Sequence, residues 1–275
     1  MNNITYTKKS LTVFFALIIA LSAAVEAGIC LGGPEWLYPV LMWLPAVSAL
    51  AAACVAIAES DAPFSLKSLL SCFRVCHIKY VLLACLLPLC YLLPPYAVYW
   101  AMNPAGFAYN GVSLLVAVRE CAPVLVLGIF LSLVTALGEE IGWRAFMFPA
   151  LEENHGLDAA LLVSSLFWVL WHFPLILGAG YADGTPLWYS LLSFSLCVFP
   201  IGVIAGLLTH KSRSVWPAAF LHAAHNNYDQ SVFSVITRGD NVPFFVGETG
   251  VLTIMCVWVI AIIMYFSAKK SLKSA

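Results

Sequence analysis

The run Ala136–Leu151, ALGEEIGWRAFMFPAL, sets two adjacent carboxylates, Glu139 and Glu140, and an arginine, Arg144, inside an otherwise apolar stretch. Charge in the middle of an apolar helix is expensive, and by default it marks function rather than architecture. Helical geometry divides the three groups. Glu140 and Arg144 stand at i and i+4, one above the other on a face where they pair. Glu139 points roughly 100° away from them and has no obvious local partner. A charged carboxylate beside a neutralised one has the form of a general base in a membrane.

The rest of the chain supplies the membrane. Of 275 residues, 62% are hydrophobic and 10% are charged, against roughly 25% charged in soluble domains. The net charge of −1 argues against nucleic-acid partners and leaves membrane lipids as the surroundings. Eight apolar runs, at 11–32, 37–58, 80–101, 124–150, 159–179, 187–209, 215–236 and 249–267, each approach the roughly 20 residues that cross a hydrocarbon core. The predicted fold is all-α: one domain over residues 1–275, a polytopic bundle of about eight transmembrane helices around an intramembrane cavity. The stretch 112–121 reads as too short and too charged to span. Pro123 is its expected boundary with the fourth helix, which places it at the interface.

Basic residues set the orientation. If the helices alternate, Lys8, Lys9, Lys67, Arg74, Lys79, Lys211, Arg213, Lys269, Lys270 and Lys273 share one side, while Arg119 and Arg238 fall on the other. Both termini are therefore expected in the cytoplasm of a multi-pass cell-membrane protein. The first run also has features of a signal peptide, but a retained helix gives the consistent charge asymmetry. Nine cysteines are scattered without a CxxC pair, and Cys72, Cys76 and His77 lack haem-attachment spacing. They read as small buried hydrophobes. The sequon Asn3–Thr5 falls on the cytoplasmic side and carries no weight.

Two further polar constellations lie inside predicted spans. In AALLVSSLFWVLWHFPLILG, residues 159–178, His172 follows Trp168 by four, and in VWPAAFLHAAHNNYDQ, residues 215–230, His222 and Asn226 stand at i and i+4. Any one of these alone is as well explained by interhelical hydrogen bonding. Depth separates the readings. At 1.5 Å per residue, Glu139 lies about 16 Å from the cytoplasmic end of its helix, His172 about 20 Å, His222 about 10 Å and Asn226 about 16 Å. Three helices thus bring acid, imidazole and amide to a similar level. Of the other polar residues, Glu26 has no assigned role. His225 is expected to pack or support, Asn227 and Asp229 to hydrogen-bond structurally, and Glu152, Glu153 and His155 to form a solvated connector.

At these residues the chain resembles the CPBP intramembrane protease family, which groups CAAX prenyl endopeptidases of the Ras-converting type with bacterial proteins linked to bacteriocin processing and self-immunity. The family's Glu-Glu-x-x-x-Arg motif is met by Glu139, Glu140 and Arg144. Its Phe-x-x-x-His motif is met at His172, with Trp168 in place of Phe. Its His-x-x-x-Asn motif is met by His222 and Asn226. The resemblance covers about residues 124–230, and Ala145 stands where the family usually has Gly.

The resemblance implies an endopeptidase acting on a peptide or protein substrate at the membrane. Glu139 would deprotonate a water held between it and His172, and the hydroxide would attack the peptide carbonyl. His222 and Asn226 would donate to the oxyanion, Arg144 would hold Glu140, and Trp168 would form an aromatic wall against the substrate. No cofactor is expected on this reading. Its alternative is a zinc ion bound by Glu139, His172 and His222, leaving an open position for water. Two other classes stay open: a transporter with an intramembrane Glu/His relay, and an inactive immunity or scaffold protein. In a bacterial source, a small peptide precursor or another membrane protein is the expected substrate rather than a prenylated CAAX protein.

Overall fold

A bilayer core offers no water to backbone N–H and C=O groups, and a helix satisfies them within one segment. The apolar runs accordingly become helices. The structure is a computed structural model that describes residues 7–59, 70–182 and 184–273; Lys67 and the Asn3–Thr5 sequon lie outside them. In chain order the α-helices are α1 (Lys8–Cys30), α2 (Leu37–Ala58), α3 (Ile78–Met102), α4 (Leu114–Glu140), α5 (Phe148–Trp171), α6 (Phe173–Gly178), α7 (Leu187–Ser212), α8 (Trp216–Asn226), α9 (Val242–Phe245) and α10 (Val251–Lys273). Among the described residues there is no β-strand, only an isolated bridge between Phe107 and Thr237. The all-α polytopic bundle predicted above is the observed fold.

Among the described residues, six segments are long and apolar enough to cross a membrane, and one of these, 115–178, runs for 64 residues. That segment folds over at Gly156, whose φ of 81° and ψ of 170° break α5; the break separates the fourth and fifth predicted spans. The seventh span is realised as α8 and the π-helical segment Asn227–Phe233, shorter and more polar than its neighbours. One expectation fails. α4 begins at Leu114 and runs unbroken through Pro123, so 112–121 is not a separate interfacial piece. Proline's fixed φ fits the α region, and the bond it removes bends a packed helix without ending it. α3 likewise continues through Pro88, Pro94 and Pro95.

The helices alternate in direction, so Lys8 and Lys9, Lys79, Lys211 and Arg213, and Lys269 and Lys270 gather at one end of the bundle, called here the basic end. Ion pairs Lys9–Glu59 at 3.3 Å and Lys269–Asp158 at 2.7 Å tie neighbouring helix ends there. Glu152, expected in a solvated connector, instead bonds His210 and accepts from Arg213 at 3.1 Å, which fastens α5 to the end of α7.

Inside the bundle α7 packs on both α5 and α10, while α8 sits between α3 and α4. Outward side chains are large and apolar: Leu131 is 78% exposed and Phe266 65%, as a lipid-facing surface requires. Lipid tails are as apolar as these side chains, so helices associate by close packing and polar contacts rather than by hydrophobic gain. Gly142 shows how close. A Cβ there would lie 2.3 Å from Pro45 Cβ, so α2 leans directly on the backbone between Glu140 and Arg144. Replacing Gly142 by Val is predicted to cost about 1–3 kcal/mol through overpacking, read as a lower unfolding midpoint in detergent. Wild-type stability in that variant would show that α2 does not bear on this turn.

Candidate active site

α4 and α8 each pass into a π-helical segment just after their polar residues: Ile141–Met147 follows Glu140, and Asn227–Phe233 follows Asn226. Each segment closes with a wide bond, Phe148 N–H to Trp143 O and Ser234 N–H to Asp229 O. Such insertions re-aim the side chains that follow and recur at functional sites. Nothing in the sequence announced them.

Glu140 and Arg144 are fully buried and paired as the spacing predicts, Nη1 donating to Oε1 at 2.9 Å. The same oxygen also bonds His222 Nδ1 from α8, at 2.9 Å. An ionised carboxylate accepts and cannot donate, so Nδ1 of His222 carries the proton. The Arg144 guanidinium carbon lies 4.4 Å from the Trp168 ring centroid, a cation–π contact. Among the described residues Arg144 Nε and Nη2 and Glu140 Oε2 have no hydrogen-bond partner.

Glu139 departs from expectation. Predicted to lack a local partner, its Oε2 accepts from Trp143 Nε1 at 3.2 Å and from Trp168 Nε1 at 2.8 Å. Indole is a donor without a charge, so it satisfies a carboxylate oxygen without neutralising it. Trp168, read as an aromatic wall, is 4% exposed and stands at the centre. Beyond Glu139 and Arg144, its ring centroid is 5.2 Å from that of His222 and 5.8 Å from that of His172.

His172 ends α5, its Nδ1 2.8 Å from the Trp168 carbonyl oxygen. A carbonyl only accepts, so this nitrogen too carries hydrogen, and a neutral His172 keeps a lone pair on Nε2. Trp171 and Phe194 wall the ring at 5.1 and 5.2 Å. Asn226 lies one turn beyond His222, half-buried. It borders the group without a hydrogen bond among the described residues. Glu139, Glu140, Arg144, Trp168, His172 and His222 thus form one cluster drawn from α4, its π segment, α5 and α8.

The supporting residues fall where expected. Asn227 donates to the Val124 and Leu125 carbonyls at 3.0 and 3.2 Å, and Asp229 accepts from Tyr96 at 2.8 Å. His225 is buried away from the cluster, with Tyr91 and Glu248 at 3.2 and 3.3 Å. Glu26 is buried with Oε1 unpartnered and takes no part in the cluster. Trp143 was visible in the sequence as the i+4 neighbour of Glu139. Glu248 and its partner Tyr181 had no local signal.

A cavity of about 460 Å³ opens at the basic end, with Cys72, Arg144, Ala145, Pro149, Thr209 and Ser214 in its wall. It meets the cluster at Arg144, behind which Glu139, His172 and His222 lie further in. Among the described residues no three of His, Cys, Asp and Glu converge as a metal-binding group, the set Glu139, His172 and His222 included.

Residues 122–228 match the family model described as type II CAAX prenyl endopeptidase Rce1-like. A curated protein of Methanococcus maripaludis, CAAX prenyl protease 2, is 33% identical over 150 residues, which cover 53% of this chain and 51% of that protein. The chain therefore spans about half the length of that relative. All three motifs lie inside the segment 122–228, which is thus similar to Rce1-like CAAX prenyl endopeptidases where the sequence resembles the CPBP family.

The buried pair gives a stability test that needs no substrate. Arg144→Met strands the Glu140 charge and is predicted to cost about 3–5 kcal/mol. Adding Glu140→Gln should recover part of the loss in denaturant unfolding, whereas strictly additive losses would show that the two residues do not act as a pair.

Proposed function

We propose that the protein is an intramembrane endopeptidase that hydrolyses a peptide bond in a membrane-associated peptide or protein, using water activated by Glu139 and no metal. One observation carries the reading: Glu139 is 2% exposed and holds its carboxylate with two uncharged indole donors while its neighbour Glu140 takes the cations. A buried carboxylate kept hydrogen-bonded but un-neutralised is a base in waiting.

The tautomers assign the remaining roles. His172 Nε2, an acceptor, holds the water against Glu139, which takes its proton as the oxygen attacks the carbonyl carbon. The oxyanion then accepts from Asn226 and from His222 Nε2. Because Nδ1 of His222 already donates to Glu140, a donor on Nε2 as well requires the imidazolium. That state also balances the cluster, with Glu139 and Glu140 negative and Arg144 and His222 positive, which lowers the cost of burying four charged groups. Collapse breaks the C–N bond, and Glu139 returns its proton to the leaving amine. Arg144 anchors Glu140, and Trp168 orients Glu139 rather than only lining the substrate path.

The match of residues 122–228 to the Rce1-like endopeptidase model supports protease chemistry. The name of the archaeal relative points to lipid-anchored substrates, and the cavity at the basic end supports approach from the face that basic residues place in the cytoplasm. Both termini would then be cytoplasmic, in the cell membrane.

Detergent-purified protein should cleave within a membrane-presented peptide library. Glu139→Gln should lower kcat by about 10²–10⁴-fold, and a strong chelator should leave the wild type unchanged. Loss of activity on chelation would replace this reading with the zinc alternative. His222→Ala should cost about 10²–10³-fold in kcat. The wild-type rate should fall as rising pH removes the imidazolium proton. A rate that climbs steadily into alkaline pH would contradict the donor role of His222.

A further inference from the structure

A second polar group, gathered on the half-buried Glu248, is unused by the chemistry above. The loop Val246–Gly250, between α9 and α10, turns Glu248 inward. Its backbone is built for this turn: Gly247 has φ 78°, and a Cβ on Gly250 would fall 2.2 Å from the Val246 nitrogen. Glu248 Oε1 accepts from His225 Nε2 and Gln230 Nε2, both at 3.3 Å, and Oε2 accepts from the Tyr181 hydroxyl at 3.1 Å. The donor set is consistent throughout, since Tyr91 can donate to the remaining His225 nitrogen at 3.2 Å.

Tyr181 connects this group to His172. Their ring centroids are 6.0 Å apart at 36°, and Tyr181 also packs on Phe194 at 5.7 Å. Four rings surround the imidazole: Trp168, Trp171, Phe194 and Tyr181. The first three ride on α5 and α7. Tyr181 belongs to the irregular segment after α6, where a backbone bond to Leu175 O at 3.2 Å supports it. Without a helix under it, that wall depends on its hydroxyl tie. The Nδ1 bond to Trp168 O fixes one point of the imidazole, and rotation about that point is limited only by the rings around it.

We infer that Glu248 is a positioning residue for His172, acting through Tyr181: it holds the phenol ring as the wall that keeps His172 Nε2 aimed at the water site. This rests on the role proposed above for His172, and the test separates the two. Tyr181→Phe keeps the ring and cuts the tie, and Glu248→Gln keeps the side-chain shape and removes the charge. The protein has six histidines. In ¹⁵N-histidine-labelled protein in micelles, the ring signals of His172 are identified by their loss in His172→Gln.

Both variants should shift the His172 ring nitrogens while leaving those of His210, bonded to Glu152 at the basic end, in place. Against a cleaved peptide, Tyr181→Phe should lower kcat about 10- to 100-fold, the scale of a small misalignment, with KM within about twofold. Glu248→Asp should restore part of the rate lost in Glu248→Gln. Unmoved His172 signals in Tyr181→Phe, or wild-type kcat in that variant, overturn the inference and leave the catalytic reading standing. Undiminished cleavage by Glu139→Gln overturns the catalytic reading instead, and the ring signals still decide the tie.

Discussion

The carboxylate of Glu140 receives an arginine of its own helix and an imidazole from another, in a place with no exposure to solvent. Away from water a charge must find its partners within the protein or the fold loses several kcal/mol. That demand fixes the rotation of α4 against α8. Trp168, lying over Arg144, brings α5 to the same point. In a bilayer, where apolar contact gives helices little reason to prefer one another over lipid, such a polar junction specifies which faces meet. Close approach at Gly142 then lets α2 seal the outside.

From that junction follows the difference between two adjacent glutamates of identical chemistry. Helical geometry turns them to different sides, and each side offers a different kind of donor. Glu140 meets charged donors and becomes structure. Glu139 meets two indoles, uncharged donors that both bond its Oε2. The histidines divide in the same way, by what their Nδ1 atoms face. His172 faces a backbone carbonyl and, when neutral, retains an acceptor nitrogen, while His222 faces a carboxylate and donates to it through Nδ1. In the mechanism proposed above, base and oxyanion donor are in this sense set by their neighbours.

Much of this was written in the chain. Apolar runs of membrane-spanning length gave the helices, because these follow from local composition. The pairing of Glu140 with Arg144 followed from i,i+4 spacing. The two π segments were not legible, since a π insertion arises from how a helix is packed and not from its periodicity. The break expected at Pro123 failed because proline bends a supported helix more readily than it ends one. The indole bond from Trp168 to Glu139 crosses 29 positions, and the contact of Glu248 with Tyr181 crosses 67. No short-range pattern encodes either.

The central claim is that Glu139 is an ionised carboxylate in a buried, water-poor place. Infrared difference spectroscopy of wild type against Glu139→Gln, in micelles near neutral pH, addresses it without any substrate. An ionised Glu139 predicts that the substitution removes an antisymmetric carboxylate stretch and leaves the protonated-acid region flat. Loss of a protonated carboxyl stretch would contradict it, because a group that already holds its proton cannot take one from water.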